Sequence, residues 1–129
     1  MKRLVVCLWL LFIVCACQQR TKIQKYPNET SEMALSMRVM VDQLKKAKED
    51  MHLGFTPTLS IEDFKHDHFT DSSFQKEGFN PMADALLMAA SQFDELPSVA
   101  NYEIVVNSCR SCHEYMCPGP LEMINSLDL

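Results

Sequence analysis

The sequence predicts an all-α fold: a helical bundle of three long helices with an irregular segment between the first and the second. Three observations carry this. Apolar residues recur at helical spacing in three separate windows. Only three glycines occur in 129 residues, which leaves little material for hairpin turns, and no run alternates as a half-buried strand would. Helix-ending residues fall between the windows, at Gly54, Asn80-Pro81, Pro97 and Pro118-Gly119-Pro120. The length suits one domain and excludes a multi-domain enzyme. A net charge of −5 argues against nucleic-acid binding.

Residues 1–16 read as an export signal. Lys2 and Arg3 precede an apolar run from Leu4 to Val14, far short of the roughly 20 residues a membrane-spanning helix needs. The run ends Val14-Cys15-Ala16-Cys17, which resembles the bacterial lipoprotein box. The resemblance implies cleavage after Ala16 and lipidation of Cys17, hence a membrane anchor in the periplasm on the inner or outer membrane. An ordinary secretory signal or an uncleaved anchor is the alternative. More than one acyl chain would hold firmly, because each buried methylene contributes about 0.8 kcal/mol. Loss of Lys2 and Arg3 would leave ten basic against seventeen acidic residues, a net charge of −7. Residues 17–28 are polar and read as a flexible tether, followed by one domain over 29–129.

Within that domain, Asn28, Thr30 or Ser31 can cap a helix from Glu32 to about His52. Its apolar positions are Met33, Met37, Met40, Val41, Leu44 and Met51, and Gly54 stops it. Residues 55–79 are interrupted by Pro57, Gly78 and a polar run from His66 to Ser73. A short helical piece near Ser60–Lys65 is compatible with the sequence, with Phe64, Phe69, Phe74 and Phe79 turned inward. His66 and His68 flank Asp67, yet two residues apart they would share a face only on a strand, so a solvated loop is the better reading than a metal site. Asn80-Pro81 reads as cap and first residue of a second helix ending near Glu95. Met82, Leu86, Ala89, Ala90, Phe93 and Leu96 form its stripe. Pro97 would close it or open the third helix, whose stripe runs Val99, Tyr102, Val105, Val106, Cys109, Cys112, His113 and Met116. Pro118-Gly119-Pro120 ends that helix, and residues 121–127 can add a terminal turn. Tyr102 and Tyr115 are expected in the core.

Nine methionines and six cysteines are many for this length. Beyond Cys17, three cysteines remain after the signal, Cys109, Cys112 and Cys117, an odd number that an oxidising compartment must account for. Cys109-Arg110-Ser111-Cys112-His113 has the Cys-x-x-Cys-His spacing of covalent c-type haem attachment. Two thiols one helical turn apart reach two vinyl groups along one porphyrin edge, and the next residue, His113, presents an imidazole to the iron. Thioether formation would also remove two thiols from disulfide chemistry. Two competitors use the same residues. A thiol redox pair wants a βαβ context that is missing here. A zinc site could draw on Cys109, Cys112, His113 and Cys117, but adjacent Cys112 and His113 diverge by about 100° on a helix. No general acid, base or nucleophile constellation is visible, so no enzymatic activity is expected.

The motif lies on the last long helix, near the end of the sequence given. That placement, together with residues 107–115 and an all-helical pattern, resembles the class II, or cytochrome c′-type, family: helical bundles with haem near one end. The stretches SEMALSMRVM (31–40) and CHEYMCPGP (112–120) resemble small haem lipoproteins of the Bacteroidetes type. The resemblance covers the first and last helices and fails over 55–79. It implies one haem c (iron) per chain, thioether-bound to Cys109 and Cys112, with His113 as proximal ligand. It places a distal thioether ligand early in the first helix, best matched by Met37, with Met40 as runner-up and Met33 as a third candidate. Core packing is the commoner use of such a Met stripe. His/Met ligation would raise the potential, close the iron to exogenous ligands and suit single-electron transfer. An open sixth position would instead suit gas binding or sensing. Arg38 could neutralise a haem propionate or stay solvated, and Tyr102 and Tyr115 could pack on the porphyrin or, by default, on the core. The expected partners are the membrane and redox proteins with a basic docking face, not nucleic acid. Monomer and homodimer both stay open.

Overall fold

The structure, a computed structural model, describes residues 30–129. The expected signal, the tether and the Cys17 lipidation site lie outside the described residues. The described chain is all-α: helix α1 (Glu32–His52), α2 (Phe79–Glu95), α3 (Val99–Met116) and the short α4 (Leu121–Asn125), with a single 3₁₀ turn over Ser72–Phe74. Among the described residues, no helix is long and apolar enough to cross a membrane.

Helix α1 has the bounds the sequence predicts. Of the three candidate caps, Ser31 does the capping: its hydroxyl accepts from Ala34 N–H at 3.1 Å. At the other end, Gly54 takes φ +78°, the left-handed geometry that turns the chain out of a helix at little steric cost. Met33, Met40, Leu44 and Ala47 face the core.

Residues 55–71 form no helix, so the short piece expected near Ser60–Lys65 is absent. The cause is tertiary. The Asp94 carboxylate on α2 accepts from Leu59 N–H at 2.6 Å and Ser60 N–H at 2.9 Å, and Ser60 adopts φ +50°. At φ +50° Ser60 lies outside the right-handed helical region, so no helix runs through it. The segment instead lays Leu59 and Phe64 into the core. Phe64 and Phe69 meet Phe79 edge-on, with centroids 6.3 and 5.0 Å from it. Phe74, expected inward, is 37% exposed on the 3₁₀ turn.

Helix α2 begins before the Asn80-Pro81 signal. Gly78, at φ +90°, sits at the cap position, and Asn80 and Pro81 fall in the first turn rather than at cap and first position. Pro81 is tolerated because the first four helical N–H groups have no intrahelical partner anyway. Ala83, Leu86, Ala89, Ala90 and Phe93 form the buried face, while Leu96 is exposed. Ser98 caps α3 by accepting from Asn101 N–H at 3.2 Å, so Pro97 precedes the cap instead of opening the helix. The small alanines of α2 let α3 approach closely, and Phe93 meets Tyr102 edge-on at 6.0 Å. Helix α1 adds Met33, Met40, Leu44 and Ala47 to the same core.

Tyr102 closes the bundle. It is wholly buried, and its hydroxyl lies 3.2 Å from Leu44 O on α1 and 3.1 Å from Leu127 O beyond α4. Lys48 donates to the Ser126 and Asp128 carbonyls. Arg110 reaches Asn125 Oδ1 at 2.9 Å and the Asp128 carboxylate at 2.5 Å. Residues 124–128 are thereby tied to α1 and α3 at once.

Candidate functional site

The last two turns of α3 carry Cys109, Cys112 and His113. Cys109 points inward and is 7% exposed; Cys112 and His113 are half-buried. Three residues apart, the two thiols share a face of the helix. Met33, Met40 and Cys109 belong to one apolar cluster, with Met37, Cys112 and Cys117 packed against it. All three candidate thioethers on α1 and all three thiols on and after α3 are therefore brought into one body of the core.

The end of α3 follows from Pro118. A residue before proline is pushed out of the helical region, and Cys117 is accordingly extended, at φ −154°, ψ 90°. That turns its carbonyl out of the helical ladder and toward the ring one turn back: His113 Nδ1 lies 3.1 Å from Cys117 O. A carbonyl oxygen only accepts, so this contact calls for the hydrogen on Nδ1, which leaves the lone pair on Nε2. Cys117 Sγ lies 3.3 Å from the same nitrogen. If the proton moved to Nε2, the thiol could donate to Nδ1 instead, but the carbonyl contact would then be lost.

Burial, first of all, pushes the Cys109 thiol up to about 12, and the neighbouring Cys112 adds to it. Cys112 is also raised, by burial and then by Cys117; Cys117 is raised by burial, against the opposing charge of Lys76. All three are neutral thiols at pH 7. A reactive dithiol pair needs the opposite shift. A zinc site needs thiolates that converge, and among the described residues no three His, Cys, Asp or Glu side chains come together as a metal-binding group. The donor set is compatible with covalent haem: two thiols one turn apart and an imidazole with Nε2 available, with Met33, Met37 and Met40 of α1 in or packed against the same core.

Some residues fall elsewhere. Tyr115, expected in the core, is 51% exposed; Lys76 lies over its ring at 5.3 Å and donates to its carbonyl at 2.7 Å. A cation on the last carbonyls of a helix is favourable, but Lys76 lies far off in sequence and no local pattern announces it. Arg38 donates to Thr30 Oγ1 at 3.3 Å. A cleft of about 440 Å³ lies between Ser60, Ile61, Asp63 and α2 (Leu87, Ala90, Ser91, Asp94), away from the cysteines.

Fold and site together define a class: a small all-α domain with a thiol–imidazole cluster at the end of its last long helix. Comparison with known protein families, with curated proteins and with solved structures finds no match.

Proposed function

We propose that this chain is a monohaem c-type cytochrome of the cytochrome c′-type bundle class, carrying single electrons from a lipid anchor at Cys17 in the bacterial periplasm. The observation that carries the reading is the His113 Nδ1–Cys117 O contact next to two neutral thiols at the attachment spacing. Such a second contact holds a metal-ligating imidazole in one tautomer and orientation. Cys109 and Cys112 would hold the porphyrin edge, His113 Nε2 the iron, and Met37, or Met40 as runner-up, the opposite face. Bound haem supplies a one-electron iron couple. The chain's own contribution is apolar burial, a fixed proximal imidazole and a thioether that shuts out exogenous ligands. A net charge of −7 after signal removal suits a partner with a basic docking face, and transfer rates should then fall as salt rises.

Optical spectra of the protein, made with haem-attachment machinery, test this. Low-spin bands, a weak sulfur-to-iron absorption in the far red and indifference to carbon monoxide are expected. A high-spin spectrum that shifts with carbon monoxide would favour the alternative, a gas-binding or sensing protein with an open site. A chain that takes up no covalent haem would end both readings.

A further inference from the structure

The cleft beside α2 takes no part in the site above. It has a volume of about 440 Å³, with the 60–63 stretch as one wall and the second half of α2 as the other. Ile61, Leu87 and Ala90 make its lining apolar, while Asp63 and Glu95 bring carboxylates to it. Only the short 96–98 turn joins α2 to α3, and Lys76, just before α2, reaches the Tyr115 carbonyl near the end of α3. The two helices are therefore antiparallel: the cysteines lie beside the start of α2, and the cleft lies toward the other end of the bundle. The charge of this hairpin is one-sided. From 77 to 109 the chain has Glu77, Asp84, Asp94, Glu95 and Glu103, and no Lys, Arg or His. Asp94 is spent on the Leu59 and Ser60 amides, and Asp84 on Lys65 at 2.6 Å. Glu95 and Glu103 have no ion-pair partner among the described residues. Next to the cleft the outer side of α2 is apolar as well. Met88, 63% exposed, lies two turns before Glu95 on the same line of the helix, and Leu96 is 67% exposed.

We infer that this side of α2 is a docking surface for a partner protein that presents a lysine or arginine flanked by apolar residues, with the basic side chain entering the cleft. Such a side chain has two parts, and the cleft matches both. Its methylene stem lies along Ile61, Leu87 and Ala90, and its charged head meets carboxylate at the rim. Lys65 sits between Asp63 and Asp84, 3.5 and 2.6 Å away, so Asp63 is already partly neutralised and Glu95 is the carboxylate left to the guest. The partner's apolar flanks cover Met88 and Leu96, surface that is otherwise left in water. Charge complementarity singles out this face. Helix α1 also exposes apolar residues, Leu35 and Val39, but the same line of that helix carries Lys46, 73% exposed, which opposes a basic partner. The inference does not rest on the haem reading, since a partner seated here leaves the cysteine end of the bundle uncovered. Exposed charge at the rim makes the complex sensitive to salt.

The test titrates the full, haem-free chain with a short capped peptide that has arginine between leucines, and follows the backbone amide signals by NMR. Saturable shifts confined to the cleft walls and the adjoining side of α2 are expected, and they should weaken as salt rises. Glu95→Gln should weaken binding about fivefold, the upper end for one exposed ion pair. Ser91→Arg, at an exposed helical position that lines the cleft, fills it with a basic side chain of the chain's own and should abolish binding. Unchanged amide signals elsewhere show that this variant folds. Glu103→Gln, on α3 and outside the cleft, should leave the affinity as it is. Equal losses from Glu95→Gln and Glu103→Gln would reduce the site to diffuse attraction between opposite charges and overturn the inference. Equal binding of a peptide with norleucine in place of arginine would also overturn it, by making the contact purely apolar. Arginine amide binding as tightly as the peptide would point to a small cation instead of a protein surface. Shifts at the same residues on concentrating the chain alone would point to a second copy. Either result overturns the partner, and the absence of any saturable shift overturns the site. None of these outcomes bears on haem attachment, which the optical spectra decide separately.

Discussion

Tyr102→Phe isolates a single hydroxyl at the centre of the bundle. The ring stays wholly buried and keeps its edge-on contact with Phe93, so no cavity opens. What goes is one O–H shared between Leu44 O and Leu127 O. Leu44 O lies mid-helix, where its ladder partner remains, so the loss falls chiefly on Leu127 O. One net hydrogen bond contributes about 0.5–1.5 kcal/mol, and a buried acceptor left without a partner costs about 1–3 kcal/mol. With one carbonyl still supported, about 1.5 kcal/mol is the expected destabilisation. For a folded body near 100 residues that lowers Tm by about 6–12 °C. Urea denaturation of the haem-free chain, with an unchanged m-value, measures it. Tyr102→Ala serves as the scale, since losing the ring as well should cost about 3–5 kcal/mol. A Tyr102→Phe midpoint within error of the wild type would refute the bridge, and with it the argument that this hydroxyl ties α1 to the chain beyond α4.

Replacing Met33, Met37 and Met40 in turn by Ala in the haem-loaded chain should convert a low-spin haem to a high-spin one only when the ligand is lost, and Met37 is the expected position. If none of the three changes the spectrum, the distal assignment is wrong. Gly78→Ala places a Cβ where nothing lies within 4 Å, so its penalty is backbone alone: about 1–2 kcal/mol for a left-handed residue, read from the urea midpoint. The haem-free chain should also lose stability in alkali. Cys109 and Tyr102 are both pushed up to about 12, from ordinary values of 9.0 and 10.0, so the unfolded chain releases those protons first and stability falls as pH climbs from about 9 toward 12. Thioether capture of Cys109 should remove its share of that fall, which a comparison of haem-free and haem-loaded chains between pH 9 and 11 would detect.

The helices were legible because their signals are local. Ser31, the Met stripe and Gly54 lie within or beside α1, and the helical spacing from Tyr102 to Met116 needs no knowledge of the rest of the chain. Local signals misled where a distant residue outweighed them. Asn80-Pro81 is a sound helix start, yet Gly78 can adopt φ +90° and let α2 begin earlier. Ser60, its amide held by Asp94 on another helix, takes φ +50°, and Ser60–Lys65 forms no helical turn. Of the candidate site, the cysteines and His113 could be named from spacing, and Pro118 could be seen to end the helix. That the ending aims the Cys117 carbonyl at His113 Nδ1 requires the backbone angles. Lys76 over Tyr115, and the hydrogen bond between His68 and Glu32, join residues 36 to 39 positions apart and leave no periodic trace.

The ties from Lys48, Tyr102 and Arg110 to residues 124–128 also set an order in time. Each reaches a partner made after it, and those from Lys48 span about 80 positions. A chain threaded out N-terminus first has α1, α2 and most of α3 before it has the residues that join them. Contacts this distant in sequence form slowly. Until they form, Leu127 and Ile124 are not in place and Tyr102 lacks one of its acceptors. Once closed, the core leaves the Cys109 thiol 7% exposed. On the proposed haem reading, attachment at Cys109 would then compete with folding, and a change that speeds closure should yield more stable protein carrying less haem.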